Sequence, residues 1–163
     1  MVTRICKILN TIIVTILIIL SAIMVGPKLL GGNTLAVLSG SMEPKISVGS
    51  LVIIKKVEPK TLEAGDIITY KISADTLVTH RVVENNPETN EIITKGDANK
   101  TNDSSPINYS NVVGKMLFHV PLLGYLSIYM QTTLGVAIIC VIVIILILLN
   151  FLPDLVEKDK EIV

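Results

Sequence analysis

The chain has 163 residues, half of them hydrophobic but only 4% aromatic and 17% charged, and its 14 basic and 14 acidic side chains cancel. That is too apolar for an ordinary soluble domain of this size. The neutral balance leaves no basic surplus to neutralise a phosphate backbone, which excludes nucleic acid as a partner class.

Arg4 and Lys7 precede a run from Ile8 to Gly26 whose only polar side chains are Asn10, Thr11, Thr15 and Ser21. A helix of about 18 to 20 residues at roughly 1.5 Å rise matches the hydrocarbon core of a bilayer. A cleavable secretory signal is the competing reading. The run is longer than a usual signal core, however, and Ile23-Met24-Val25-Gly26-Pro27 offers no Ala-x-Ala site. An uncleaved transmembrane helix over 8–26 is expected, after a cytoplasmic N-terminus over 1–7.

Residues 27–133 suffice for one modest core and not for two domains. Short, β-branched segments separated by turn residues predict strands at Thr34–Leu38, Ser50–Val57, Asp66–Ile72, Thr76–Glu84, Glu91–Lys95 and Val112–Phe118. Lys71 to Thr76 and Asn85 to Asn90 read as hairpin connections, so the sheet is expected to be largely antiparallel. Asn99 to Asn111 reads as a long surface loop. Pro121 to Met130, with Tyr125 and Tyr129 four apart, suits either the headgroup layer or a cover over the core.

Leu134 to Leu149 contains no polar side chain, and a second span over 134–152 is expected to stop at Pro153, which lacks an amide proton. The tail, 153–163, carries Lys158 and Lys160. With Arg4 and Lys7 these place both termini in the cytoplasm and 27–133 outside. Cys6 and Cys140 fall at the cytoplasmic edge and inside the second span, so no disulfide or thiolate metal site is available to the outer domain.

The outer segment carries a serine, an imidazole and carboxylates, the chemical types of a serine hydrolase. Ser41 lies in Ser39-Gly40-Ser41-Met42-Glu43-Pro44, where the glycine is expected to permit a sharp turn and the proline to pin it. His80 lies in Thr79-His80-Arg81-Val82, on a strand face shared with Val78 and Val82. Partial burial there favours the neutral imidazole that a general base requires. His119 has no carboxylate beside it in sequence and reads as structural. Asp97, in Lys95-Gly96-Asp97-Ala98-Asn99, and Asp103 are both able to orient an imidazole or to brace the loop, and spacing does not rank them. Two histidines and scattered carboxylates lack zinc spacing, and no phosphate loop is present, so neither metal nor organic cofactor is expected.

Taken in order, Ser39-Gly40-Ser41-Met42-Glu43-Pro44, Gly65-Asp66-Ile67-Ile68, Thr79-His80-Arg81-Val82 and Lys95-Gly96-Asp97-Ala98-Asn99 closely resemble the boxes of type I signal peptidases. The match runs from the first span to about Tyr125. It is similar to the histidine-containing branch found in the endoplasmic reticulum, archaea and some Gram-positive bacteria, the common bacterial branch having lysine where His80 stands. The resemblance implies a mainly β fold: an antiparallel β-rich catalytic domain on the outer membrane face, flanked by two transmembrane α-helices.

It further implies a membrane-bound serine endopeptidase that removes N-terminal signal peptides from translocated preproteins after small residues at −1 and −3. Ser41 would be the nucleophile, His80 the general base and Asp103 the triad carboxylate, with Asp97 holding the site; the two aspartates are exchangeable at this level. The Ser39 hydroxyl and the Ser41 amide would form the oxyanion hole. Lipid and the secretion translocon are the surroundings such an enzyme would share with its substrate. Two other functions fit the same residues: a membrane-anchored β module that binds extended peptides without cutting them, and a dedicated processing peptidase for a few surface or matrix proteins.

Overall fold

The computed structural model describes residues 2–158. The chain divides into two units, the first comprising the terminal segments up to Gly26 and from Tyr129, the second running from Pro27 to Ile128.

In the first unit, helix α1 spans Val2–Leu29 and helix α3 spans Thr133–Lys158. The window Arg4–Leu29 has a mean hydropathy of 2.7 and Thr133–Asn150 one of 3.0, so each is long and apolar enough to cross a membrane. The Asn10 amide donates to the side-chain oxygen of Asn150 at 3.1 Å, joining the two helices through their sparse polar residues. Thr11 and Thr15 return their hydroxyls to the carbonyls of Lys7 and Thr11 on their own helix. Neither proline ends its helix: α1 carries Pro27 inside it, and α3 continues past the expected stop at Pro153. A proline removes one amide donor, which a helix otherwise bonded at every turn survives.

The second unit is a seven-stranded antiparallel sheet: β1 (Gly32–Ala36), β2 (Leu51–Lys55), β3 (Ile67–Lys71), β4 (Leu77–Asn86), β5 (Glu91–Lys95), β6 (Ile107–Asn108) and β7 (Val112–Val120). Their spatial order is β1-β2-β7-β3-β4-β5-β6. A short helix, α2 (Leu123–Tyr129), follows β7. Six strands coincide with the expected ones to within two residues at each end, and β5 matches at both ends. The two expected hairpins join β3 to β4 and β4 to β5.

The loop expected at Asn99 to Asn111 is more ordered than its polarity suggests. Ile107 pairs with Ile92 across β5, and Tyr109–Asn111 forms a 3-10 turn capped by the Asn108 side chain. Ile107 and Tyr109 also pack against the core, so two apolar side chains anchor an otherwise polar segment.

Because side chains alternate along each strand, the sheet builds two cores. One contains Met42, Ile46, Val52, Ile54 and Ile67; the other contains Leu62, Ile68, Tyr70, Val82 and Ile92. The β1–β2 connection lays Met42 and Ile46 over the first, both essentially inaccessible. Truncating either would cost about 2 to 5 kcal/mol by the usual cavity effect. The same connection reaches a loop from the far side of the sheet: the Ala98 amide, just beyond β5, donates to the Ser41 carbonyl at 2.9 Å. Strands near opposite ends of the order are thereby brought together, so the sheet is curled. Tyr125 of α2 lies against Gly49, where a Cβ would come within 1.9 Å of its ring. Tyr125 thus covers Gly49 with one side of its ring while staying 42% exposed, and Tyr129 is 58% exposed.

Candidate active site

The β1–β2 connection is closed at its base by Val37 and Gly49, whose amides donate to Ser50 and Val37. At its tip the Glu43 amide bonds the Gly40 carbonyl at 3.0 Å, placing Ser41 at the corner of a hydrogen-bonded turn. Gly40 does not have the positive φ that a sharp glycine turn would use; within this connection that conformation belongs to Gly49, at +79°. The glycine that Ser41 depends on is Gly96. A Cβ there would stand 2.6 Å from the Ser41 carbonyl and 2.8 Å from the Asn99 amide nitrogen, so only glycine lets the two loops touch.

Three adjacent strands supply the next layer. In the β3–β4 register His80 lies opposite Ile68, with Tyr70 two residues along β3; in the β4–β5 register Thr94 lies opposite Val82. Tyr70, His80 and Thr94 therefore project from neighbouring strands onto one face. Asp103 comes down on them from the loop after β5, its amide held by the Thr94 carbonyl at 2.8 Å.

One carboxylate oxygen, Oδ2 of Asp103, receives all three side chains: His80 Nδ1 at 2.6 Å, Thr94 Oγ1 at 2.6 Å and the Tyr70 hydroxyl at 3.0 Å. The Tyr70 ring stands edge-on to the imidazole, centroids 6.3 Å apart. Burial alone would raise the Asp103 carboxyl, but the hydrogen bonds from Thr94, His80 and Tyr70 outweigh it and hold the group below its ordinary value. Burial pushes the Tyr70 phenol up to about 12 against the Thr94 hydrogen bond, and the Asp103 charge adds to the rise. The phenol thus keeps the proton it donates. Since an ionised carboxylate only accepts, the proton between His80 and Asp103 sits on Nδ1, which leaves Nε2 as the basic nitrogen.

Asp97 does something different. It takes a forked pair of bonds from Arg81, Nε to Oδ1 at 2.8 Å and a terminal nitrogen to Oδ2 at 2.6 Å, while the other terminal nitrogen reaches the Gly65 carbonyl at 2.7 Å. The Asp97 hydrogen bond raises the Arg81 guanidinium further. The next residue in the chain, Ala98, holds the Ser41 carbonyl.

Ser39, Ser41, His80 and Asp103 all line one cleft of about 830 Å³, bounded by residues 35–39 and 75–79 and by the loop containing Asn99 and Ser104. In this state the Ser41 hydroxyl pairs with the Ser39 hydroxyl at 3.3 Å, and among the described residues it makes no bond to His80. The sequence reading named Ser39, Ser41, His80, Asp97 and Asp103 but not Tyr70 or Thr94. Their signal was the strand parity of His80, readable only once the partners of β4 were known. His119 lies on β7 opposite Val52, outside the cleft, with a buried Nδ1 that has no partner among the described residues. Among the described residues no group of three or more His, Cys, Asp or Glu side chains gathers as a metal ligand set.

No family model matches the chain. Over 118 residues, 66% of its length, it is 40% identical to signal peptidase I W of Bacillus subtilis. It is 35% identical over 103 residues, 56% of its length, to the signal peptidase complex catalytic subunit SEC11 of Lodderomyces elongisporus. To the human catalytic subunit SEC11C it is 30% identical over 106 residues, 58% of its length. The matches span 62%, 61% and 55% of those proteins' own lengths. With these relatives, a β-rich domain and two apolar flanking helices, the chain is similar to the type I signal peptidases.

Proposed function

We propose that this protein is a membrane-anchored serine endopeptidase that removes N-terminal signal peptides from translocated preproteins. The observation that carries the reading is the shared cleft, in which Ser41 and an imidazole already bonded to a carboxylate face the same space.

In the proposed cycle Ser41 Oγ leaves Ser39 and turns to His80 Nε2. His80 removes the hydroxyl proton as the oxygen attacks the scissile carbonyl, and Asp103 stabilises the imidazolium that forms. The tetrahedral oxyanion is met by the Ser41 amide and the Ser39 hydroxyl, a contribution of roughly 3 to 4 kcal/mol per donor in comparable sites. The imidazolium then protonates the leaving amine, and His80 next activates the water that releases the acyl chain from Ser41. Asp97 serves by locking the loop against the Ser41 carbonyl.

Two strand edges suit an extended substrate. β1 is one of the two outer strands of the sheet, and β4 meets β5 only from Arg81 onward, which leaves residues 77–80 unpaired on that side among the described residues. Both border the cleft. A peptide could add its backbone to either edge while small side chains at −1 and −3 enter the space between. The membrane reading is of two spans, 8–26 and 134–152, with both termini cytoplasmic and 27–133 outside, near lipid and the secretion translocon. A signal peptide's cleavage site lies just past its own apolar helix, so a shared membrane raises the effective concentration of enzyme and substrate.

The test uses the full chain in detergent micelles with a membrane-inserted precursor, reading the product's N-terminus. A new terminus is expected, and it should vanish in both Ser41→Ala and His80→Ala while each variant stays folded. Cleavage retained in either one refutes the mechanism.

A further inference from the structure

Three donors converge on one oxygen of Asp103, and only one of them is the imidazole. We propose that Thr94 and Tyr70 are positioning residues: their hydroxyls hold Asp103 Oδ2 in place, and the carboxylate in turn keeps His80 as the Nδ1–H tautomer with Nε2 free toward the cleft. This rests on the peptidase reading for its effect on rate, but the tautomer is a property of the folded chain alone.

Asp103 arrives from a loop, and a loop carboxylate left to itself samples several rotamers. The site removes that freedom by backbone and side chain together. The Asp103 amide is bonded to the Thr94 carbonyl at 2.8 Å, and the Thr94 hydroxyl bonds the carboxylate of the same residue at 2.6 Å. Thr94 is thus a two-point clamp, and its side chain is wholly buried. Tyr70 closes the opposite side through its hydroxyl at 3.0 Å, with its ring against the imidazole edge. The Tyr70 hydroxyl also lies 3.4 Å from His80 Nδ1 and 3.3 Å from the Thr94 hydroxyl. Each hydroxyl has a single proton, and the shorter partner for both is the carboxylate. With those protons committed to Oδ2, the remaining proton in the cluster is the one on Nδ1, which fixes the tautomer.

The experiment compares Thr94→Val, Thr94→Ser and Tyr70→Phe with the unsubstituted full chain in micelles, and takes Thr69→Val as control. Thr69 is also fully buried and bonds the Thr79 hydroxyl at 2.8 Å, but it lies on the opposite face of β3 from Tyr70. Thr94→Val is expected to lower kcat at least about tenfold with KM within about twofold, the scale of a lost hydrogen bond to a charged group. Tyr70→Phe is expected to lower kcat several-fold, Thr94→Ser to restore it to within about twofold, and Thr69→Val to leave it unchanged. Nitrogen-15 spectra of His80 should show the Nδ1–H tautomer in the unsubstituted chain and a mixture in Thr94→Val.

Unchanged kcat in Thr94→Val, an equal loss in Thr69→Val, a serine that fails to rescue, or an unaltered tautomer would each overturn the proposal. If the unsubstituted chain yields no product, the peptidase reading fails and the nitrogen spectra alone decide the positioning role.

Discussion

Asp97 and Asp103 stand six residues apart on the same side of β5, yet they occupy opposite electrostatic settings. Asp97 uses both oxygens on the fork of one guanidinium, a partly exposed pair that ties a loop to β4. Asp103 uses one oxygen for three donors from three strands or their ends, with the imidazole among them. The difference teaches that a carboxylate's role follows from its donors. A permanent cation makes it a brace, whereas an imidazole and hydroxyls leave its charge available to a proton that moves.

The sharpest way to break that comparison is to neutralise each carboxylate. Asp103→Asn is expected to reduce precursor cleavage by about three to four orders of magnitude, because the amide can also stabilise the wrong imidazole tautomer. Asp97→Asn is expected to cost about ten- to a hundredfold, since the loop loosens but the His80–Asp103 bond remains. Equal losses in initial-rate measurements would erase the distinction.

A smaller effect sharpens the bracing role. Arg81→Lys keeps the charge but cannot fork, and should lower stability by about 1 to 2 kcal/mol by thermal unfolding in micelles, with a modest fall in rate. Gly96→Ala tests the same contact from the other partner. Its Cβ would collide with the Ser41 carbonyl, so a destabilisation of about 1 to 3 kcal/mol is expected together with impaired cleavage. A fully active Gly96→Ala would show that the loop contact does not matter.

The smallest expected effect is on acid stability. The folded Asp103 carboxyl lies below its unfolded value near 3.8, so its contribution is present above that value and is lost as the pH falls through the lower folded one. Unfolding midpoints measured from pH 5 downward should therefore fall less steeply in Asp103→Asn than in the unsubstituted chain.

Much of the fold was legible from short stretches of sequence. Short β-branched runs at Leu51–Lys55 and Ile67–Lys71, with turn residues around Asn86 to Asn90, located strands from residue type and local punctuation alone. Ile107–Asn108 escaped because two residues carry no period, and the order of Asn99 to Asn111 comes from what Ile107 and Tyr109 pack against. The turn at Ser41 was placed correctly but for the wrong glycine. Gly40 adopts an ordinary conformation, while the constraint comes from Gly96, 55 positions from the serine in sequence.

The sequence by itself determined the chemical inventory: two runs long enough for a bilayer, one β-rich segment between them, and a serine, an imidazole and two candidate acids in family order. Each of those depends on residue type and local period. Only the tertiary structure decided that Asp103 meets His80 while Asp97 meets Arg81, and that Tyr70 and Thr94 join the cluster. The physical reason is register: which side chains meet across β3, β4 and β5 depends on pairings between distant segments, and a one-residue slip would turn His80 to the other face.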